Sequence, residues 1–138
     1  MKKTILYLCI ICSVLFSCNF AGDAKWAEIE RIPSPDNKVE AVLVSSDAGA
    51  TTSTGFHVFI VPKGSKIETG YEKFIADKVL GIKLSWKKNK LLEIQYESAR
   101  IFKFSNFWNS QSLQNWNYIV EIKLSPVNED FSLPELYR

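Results

Sequence analysis

One histidine is available for acid–base or metal chemistry in this chain, and it stands at position 57. Together with Ser53 and Asp47 it raises the hypothesis of a Ser-His-Asp triad. All three residues fall within one short segment, whereas such triads are assembled from separate elements, and no nucleophile elbow surrounds Ser53. A zinc site needs three or four His, Cys or acidic ligands, and the sequence offers no such cluster around His57. We therefore predict neither a catalytic triad nor a metal site.

A run of small and hydroxylated residues, "SDAGATTSTG" (46–55), immediately precedes this histidine region. It lacks the lysine and the following helix that a phosphate-binding loop requires, so no nucleotide cofactor is predicted. The hydroxyl groups either cap backbone groups inside the loop or contact a partner, and the first of these is favoured. The candidate contact residues in this loop are Thr51, Thr52, Ser53 and Thr54.

Aromatic residues gather around a second irregular segment, the amide-rich "SNFWNSQSLQNW" (105–116). They either close the open end of a sheet or hold a sugar or a partner protein. Closure of the sheet is favoured for the group as a whole, with Trp108 and Trp116 as the candidates for ligand contact. The group consists of Phe102, Phe104, Phe107, Trp108, Trp116 and Tyr118.

The elements that must position these residues follow a period of two. "KVEAVLV" (38–44) has apolar residues on both faces, which predicts a central strand, and "WAEIERI" (26–32) is its hairpin partner across the turn "SPDN" (34–37). "FHVFIV" (56–61) is another strand, on which His57 shares a face with Phe59 and Val61. Further strands are predicted in "GIKLSW", "LLEIQY", "RIFKF" and "NYIVEIKL".

These segments predict a mainly β domain, either a single antiparallel sheet or a small sandwich of about six or seven strands. Only Glu68 to Lys78 has a helix-like spacing of apolar residues, so one short helix is predicted there. The chain of 138 residues suffices for one compact domain, which we place at 26–138.

The first eighteen residues, "MKKTILYLCIICSVLFSC", have the pattern of a signal peptide at 1–17. Lys2 and Lys3 precede an apolar run that is shorter than the ~20 residues needed to cross a bilayer. "LFSC" resembles the lipobox of bacterial lipoproteins, which implies acylation of Cys18 and cleavage just before it, with 18–25 as anchor and tether. The alternatives are an ordinary secretory signal that is cut elsewhere and an uncleaved N-terminal anchor. Cys9 and Cys12 leave with the signal, so no disulfide is predicted.

Charge argues against a nucleic-acid partner. Removal of Lys2 and Lys3 leaves 15 basic residues against 15 acidic ones, and a neutral domain lacks the field that attracts nucleic acid.

Asn19 stands where lipoproteins retained in the inner membrane of enteric bacteria often carry aspartate. We therefore predict a lipid-anchored protein of the outer membrane, facing the periplasm.

"SPDNKVEAVLVSSDAGATTSTGFHVFIV" (34–61) resembles a group of small bacterial lipoproteins and membrane-anchored proteins. Their shared pattern is SPDGK, an apolar strand, a GATT-like loop and a second strand. Asn37 stands in place of the usual glycine, and asparagine also accepts the positive φ that such a turn requires. The resemblance implies an architecture and a location, and it implies no catalytic residue.

Three functions stay open at this point. The first is a non-enzymatic envelope lipoprotein whose β domain binds a partner protein or another envelope component. The second is a hydrolase of cell-wall or glycan material, for which two carboxylates facing each other in a cleft would be needed. The third is an immunity-type lipoprotein that neutralises a toxin. The first is favoured.

We expect Cys18→Ser to abolish lipid labelling and membrane fractionation, because stable anchoring needs acyl chains on that residue. Cys12→Ser is the matched control and is expected to leave both unchanged. Metabolic labelling with a radioactive or clickable fatty acid measures the effect. Labelling that persists in the Cys18→Ser protein contradicts the lipoprotein assignment.

Overall fold

The computed structural model describes residues 24–127, so the predicted signal peptide and Cys18 lie outside the described residues. Within that range the chain forms a mainly β structure of two sheets, which confirms the fold class and selects the sandwich over the single sheet. The strands are β1 (Lys25–Pro33), β2 (Val39–Asp47), β3 (Gly55–Pro62), β4 (Phe74–Leu80), β5 (Lys83–Lys88), β6 (Leu91–Tyr96), β7 (Ser98–Phe104), β8 (Phe107–Trp108) and β9 (Val120–Pro126).

The larger sheet has the order β1-β2-β3-β4-β7 and is antiparallel throughout. The smaller sheet has the order β5-β6-β9-β8, and β6 and β9 pair in parallel, which corrects the prediction of purely antiparallel pairing. The parallel pair arises because the chain leaves the smaller sheet after β6, adds β7 to the larger sheet and then returns. Such a crossover between parallel strands needs intervening chain, which β7 and β8 provide.

The helix predicted at Glu68–Lys78 is wrong, because its second half is strand β4. Phe74 and Ala76 point into the core with no exposed surface, and Ile75 and Asp77 point to the other face. Alternating burial between two sheet faces thus overrides the apolar spacing that favoured a helix. The count of six or seven strands is also too low, since β4 and the two-residue β8 were not predicted.

The predicted hairpin around "SPDN" and the central position of β2 are confirmed. Asn37 has a φ of 59°, as expected for a residue in the place of a turn glycine. Val39, Ala41 and Leu43 face the smaller sheet, whereas Val42 and Val44 face outward. The outward side is buried by a second, smaller cluster, in which Phe59, Val61 and Ile67 take part.

The two ends of the sandwich are defined by β3. Its first residue, Gly55, lies beside Ser46 at the end of β2, next to the residues with which β1 begins; we name this the entry end. Its last residue, Pro62, lies beside Val39, next to the "SPDN" turn, at what we name the far end. Eight residues at ~3.3 Å each separate the ends by about 26 Å.

Hydrogen bonds from two aromatic side chains join the sheets. Tyr118, which is fully buried, donates from its hydroxyl to Asp36 Oδ2 at 2.7 Å, and Asn89 O accepts from the same hydroxyl at 3.2 Å. Trp86 Nε1 donates to Ile32 O at 3.0 Å. Burial and the neighbouring Asp36 carboxylate raise the pKa of Tyr118 to about 12, so the hydroxyl keeps its proton at neutral pH.

We expect Tyr118→Phe to lower the free energy of unfolding by about 1–3 kcal/mol, because a hydrogen bond to a charged acceptor is lost in a buried site. Urea denaturation of the full chain measures this change. Tyr71→Phe, at a residue that is 69% exposed, is the control and should change stability by less than about 0.5 kcal/mol. Equal effects of the two substitutions would show that the Tyr118 hydroxyl does not join the sheets.

Candidate functional site

A cleft of about 310 Å³ opens at the far end of the sandwich. Three segments form it: the end of β3, the β3–β4 loop (residues 63–73) and the β8–β9 connection (residues 109–119). We name it the aromatic cleft. It is lined by 59–62 of β3, by Ser65, Lys66, Glu68 and Tyr71 of the loop, and by Trp108, Asn109, Ser110 and Trp116.

The aromatic cleft exists because β4 is shorter than its neighbour. β4 pairs with Gly55 to Val58 only, so 59–62 of β3 has no strand on that side. Lys73 N donates to Val58 O at 2.8 Å, and the chain before it turns outward as the β3–β4 loop. The gap in the sheet is therefore bordered by a strand edge and two loops, which is a common setting for a binding site.

Trp116 is held at the cleft by an unusual backbone. Gln114, Asn115 and Trp116 have φ values of 52°, 48° and 72°, the left-handed region that side chains other than glycine rarely adopt. Trp116 N donates to Ser110 O at 3.1 Å, and Asn109 Nδ2 donates to Trp116 O at 3.4 Å. These bonds hold the turn together while the side chain stays 51% exposed.

The two tryptophans singled out by the sequence line the same cleft in different ways. Trp108 is buried in the core between the sheets and reaches the cleft from its inner side, so it also closes the sandwich. Trp116 and Tyr71 present their rings at the surface. Tyr71 was not predicted; its position directly after Gly70, in a polar loop, was the only local sign of exposure.

The loop residues Thr51, Thr52, Ser53 and Thr54 lie at the entry end, so the structure does not bring them together with Trp108 and Trp116. Two of their hydroxyls bond within the chain: Thr52 Oγ1 donates to Gly49 O at 3.0 Å, and Ser53 Oγ donates to Asp77 Oδ2 at 2.7 Å. The favoured interpretation of these hydroxyls as caps of loop backbone groups is confirmed for Thr52, whereas Ser53 bonds a side chain outside the loop.

Comparison with protein-family models, with curated proteins and with solved structures finds no match to this chain. The resemblance over Ser34–Val61 therefore stays a prediction. Within residues 24–127, no helix is long and apolar enough to span a bilayer. Among the same residues, no group of three or more His, Cys, Asp or Glu side chains is placed to hold a metal ion.

His57 lies in a separate buried cluster on the outward side of the larger sheet. Its Nε2 is 2.8 Å from Ser46 Oγ, and its ring centroid is 4.4 Å from that of Trp26. Its Nδ1 is buried, with no hydrogen-bond partner among the described residues. The partner of His57 is therefore Ser46, whereas Ser53 bonds Asp77 and Asp47 accepts from Gly49 N, so the Ser53–His57–Asp47 arrangement does not form.

Asp77 forms the second polar pair on this face. Arg100 Nε donates to its Oδ1 at 2.7 Å, and Ser53 donates to its Oδ2. The Arg100 and Ser53 hydrogen bonds hold the pKa of Asp77 at about 2, so the carboxylate stays charged at neutral pH. This pair ties the loop at the entry end to β4 and β7, which indicates a structural use for Ser53.

We expect the free energy of unfolding to fall as the pH decreases from about 6.5, the ordinary pKa of histidine. Burial lowers the pKa of His57, and the Glu72 carboxylate offsets this only in part, so the unfolded chain takes up a proton that the folded chain resists. His57→Gln should remove this loss, and urea titrations at several pH values measure it.

His57 is the one histidine of the sequence, and, against the effect of burial, the pKa of buried carboxylates such as Glu72 is lowered by backbone hydrogen bonds and neighbouring positive charge. Such carboxylates lose their contribution to stability at lower pH than His57, from their ordinary pKa of about 4.3 downward, so the first loss on acidification reports mainly His57. An identical loss of stability in the wild-type and His57→Gln proteins as the pH falls from about 6.5 to about 4.3 would contradict the prediction.

Proposed function

We propose that this chain is a non-enzymatic, lipid-anchored binding module of the bacterial envelope, and that the aromatic cleft is its ligand site. The observation that carries the proposal is Trp116, which stays half exposed on left-handed backbone beside a concave cleft. Backbone conformations of this kind cost free energy and persist where the surrounding structure maintains them, and they cluster at ligand sites. The 34–37 turn, which only connects two strands, has a single such residue at Asn37, whereas this connection has three in succession.

The position of the cleft supports this function. In the proposal, Cys18 carries the acyl chains, and the seven residues from there to Lys25 reach at most about 25 Å. β1 begins at the entry end, so the proposed anchor joins the domain on that side. The aromatic cleft opens about one strand length away, at the far end, where it faces the periplasm in a protein anchored to the outer membrane.

The alternative of a glycan hydrolase needs two carboxylates on either side of the scissile bond, separated by about 5–9.5 Å. Among the described residues that line the aromatic cleft, Glu68 is the single carboxylate. The cleft therefore supports binding better than hydrolysis.

The test is site-specific photo-crosslinking in the cells that produce the protein. A benzophenone amino acid replaces Tyr71 in the aromatic cleft, Thr51 in the loop at the entry end, or Phe107, which is exposed on β8 outside the cleft. We expect a discrete adduct from position 71, because a ligand in the cleft touches that side chain.

Positions 51 and 107 serve as controls and should give no adduct of the same mass. An adduct from position 51 without one from position 71 would move the binding site to the entry end. Equal crosslinking from all three positions would show that the cleft selects no ligand. Either result contradicts the proposed function.

A further inference from the structure

We infer that the aromatic cleft binds a neutral pyranose saccharide, with one sugar ring packed against the indole of Trp116. The inference rests on the proposed function and names the ligand class of the same site. One face of a pyranose ring is a set of C–H bonds, whose partial positive charge complements the negative face of an aromatic ring. Packing the two faces together also removes apolar surface from water.

The size of the cleft favours a small projecting unit over a folded partner. Its volume of about 310 Å³ lies at the lower end of the range of small-molecule pockets, which is ~300–1,000 Å³. A stable protein interface buries ~1,600 Å² over a much broader surface. The two exposed rings, Tyr71 and Trp116, flank a concave space, which suits one or a few sugar units.

The polar groups of the lining favour a neutral ligand that both donates and accepts hydrogen bonds. Ser65, Asn109 and Ser110 are uncharged side chains that can do both. Lys66 and Glu68 add one charge of each sign, so the described lining has no net charge. A phosphate or a polyanionic chain would meet no excess of positive charge here. Sugar hydroxyls, which lose water on binding, would find new partners.

The backbone of β3 supplies a further donor and acceptor. In an antiparallel ladder, alternate residues direct their N–H and C=O groups to opposite neighbours. Lys63 N donates to Lys38 O towards β2, and Val58 O accepts on the other side, towards β4. The N–H and C=O of Ile60 therefore point to the gap beyond β4, and Ile60 lines the cleft while only 4% exposed.

Within residues 24–127, Ile60 makes no backbone hydrogen bond outside the strand ladders. Buried backbone groups of this kind need a partner, which a sugar hydroxyl provides. An added peptide strand fits this edge poorly, because the next residue on the same side is Pro62, which has no N–H to donate. On this side of β3, the N–H of Ile60 is the one backbone donor between Phe59 and Pro62, which is enough for a hydroxyl and too little for a strand.

The test is calorimetric titration of the detergent-solubilised full chain with chitotriose and with cellotriose, two neutral trisaccharides that differ in their N-acetyl groups. We expect at least one of them to bind, with a 1:1 stoichiometry. Trp116→Ala should weaken that binding about tenfold or more, since an aromatic anchor carries much of the affinity of such a site. Phe107→Ala is the matched control, because Phe107 is as exposed as Trp116 (51%) and lies outside the cleft lining; its affinity should be unchanged.

Trp116→Phe keeps a flat ring and covers the case in which the alanine variant fails to fold; it should bind more weakly than the wild type. Binding that is insensitive to residue 116, or no binding of either trisaccharide, would overturn the inference. Binding of the short peptide acetyl-trialanine amide in place of the sugars would also overturn the inference, because the edge of β3 would then accept an added strand. If neither trisaccharide binds but photo-crosslinking from position 71 gives a protein adduct, the proposed binding function stands and the ligand is a protein.

Discussion

The Tyr118 hydroxyl donates to the Asp36 carboxylate at 2.7 Å, and this bond fixes the two sheets to each other at the far end of the sandwich. Asp36 lies in the turn between β1 and β2 of the larger sheet, and Tyr118 lies just before β9 of the smaller one. Ser34 Oγ donates to the same carboxylate at 2.7 Å, so the acceptor is itself held in place. A buried hydroxyl with a raised pKa must donate its proton to an acceptor, and the turn supplies one.

The same contact holds one end of the connection that borders the aromatic cleft. Trp116 stands two residues before Tyr118, so one side of the β8–β9 connection is fixed where the sheets are joined. Trp108, buried between the sheets, fixes its other side. A connection of eleven residues held at both ends has few conformations left, which explains how it maintains three successive residues with positive φ. The site thus depends on the closure of the core as well as on the hydrogen bonds within its own loop.

The sequence predicted those elements whose signal is local. The alternation in β2 and β3, the tight turn at 34–37 and the positive φ of Asn37 follow from side-chain periodicity and turn chemistry, and all are confirmed. The parallel pairing of β6 with β9 and the strand at Phe74–Leu80 depend on which distant segments meet, which no local pattern specifies. The role of Asp36 as an acceptor for a residue 82 positions away was unpredictable for the same reason. The same division holds for the site: the sequence names Trp116 as a candidate, whereas the places of Tyr71 and Ile60 in the cleft follow from the start of β4 at Phe74, which leaves the end of β3 without a strand on that side.

The central claim is that the far end of the sandwich, at Trp116, receives the ligand. A crystal structure of the protein grown with whichever of chitotriose and cellotriose binds more tightly in solution tests it most directly. We expect a pyranose ring packed on the Trp116 indole, with a sugar hydroxyl within hydrogen-bond distance of the backbone of Ile60. A sugar bound at the loop around Thr51, or a cleft left empty by both trisaccharides at saturating concentration, would contradict it.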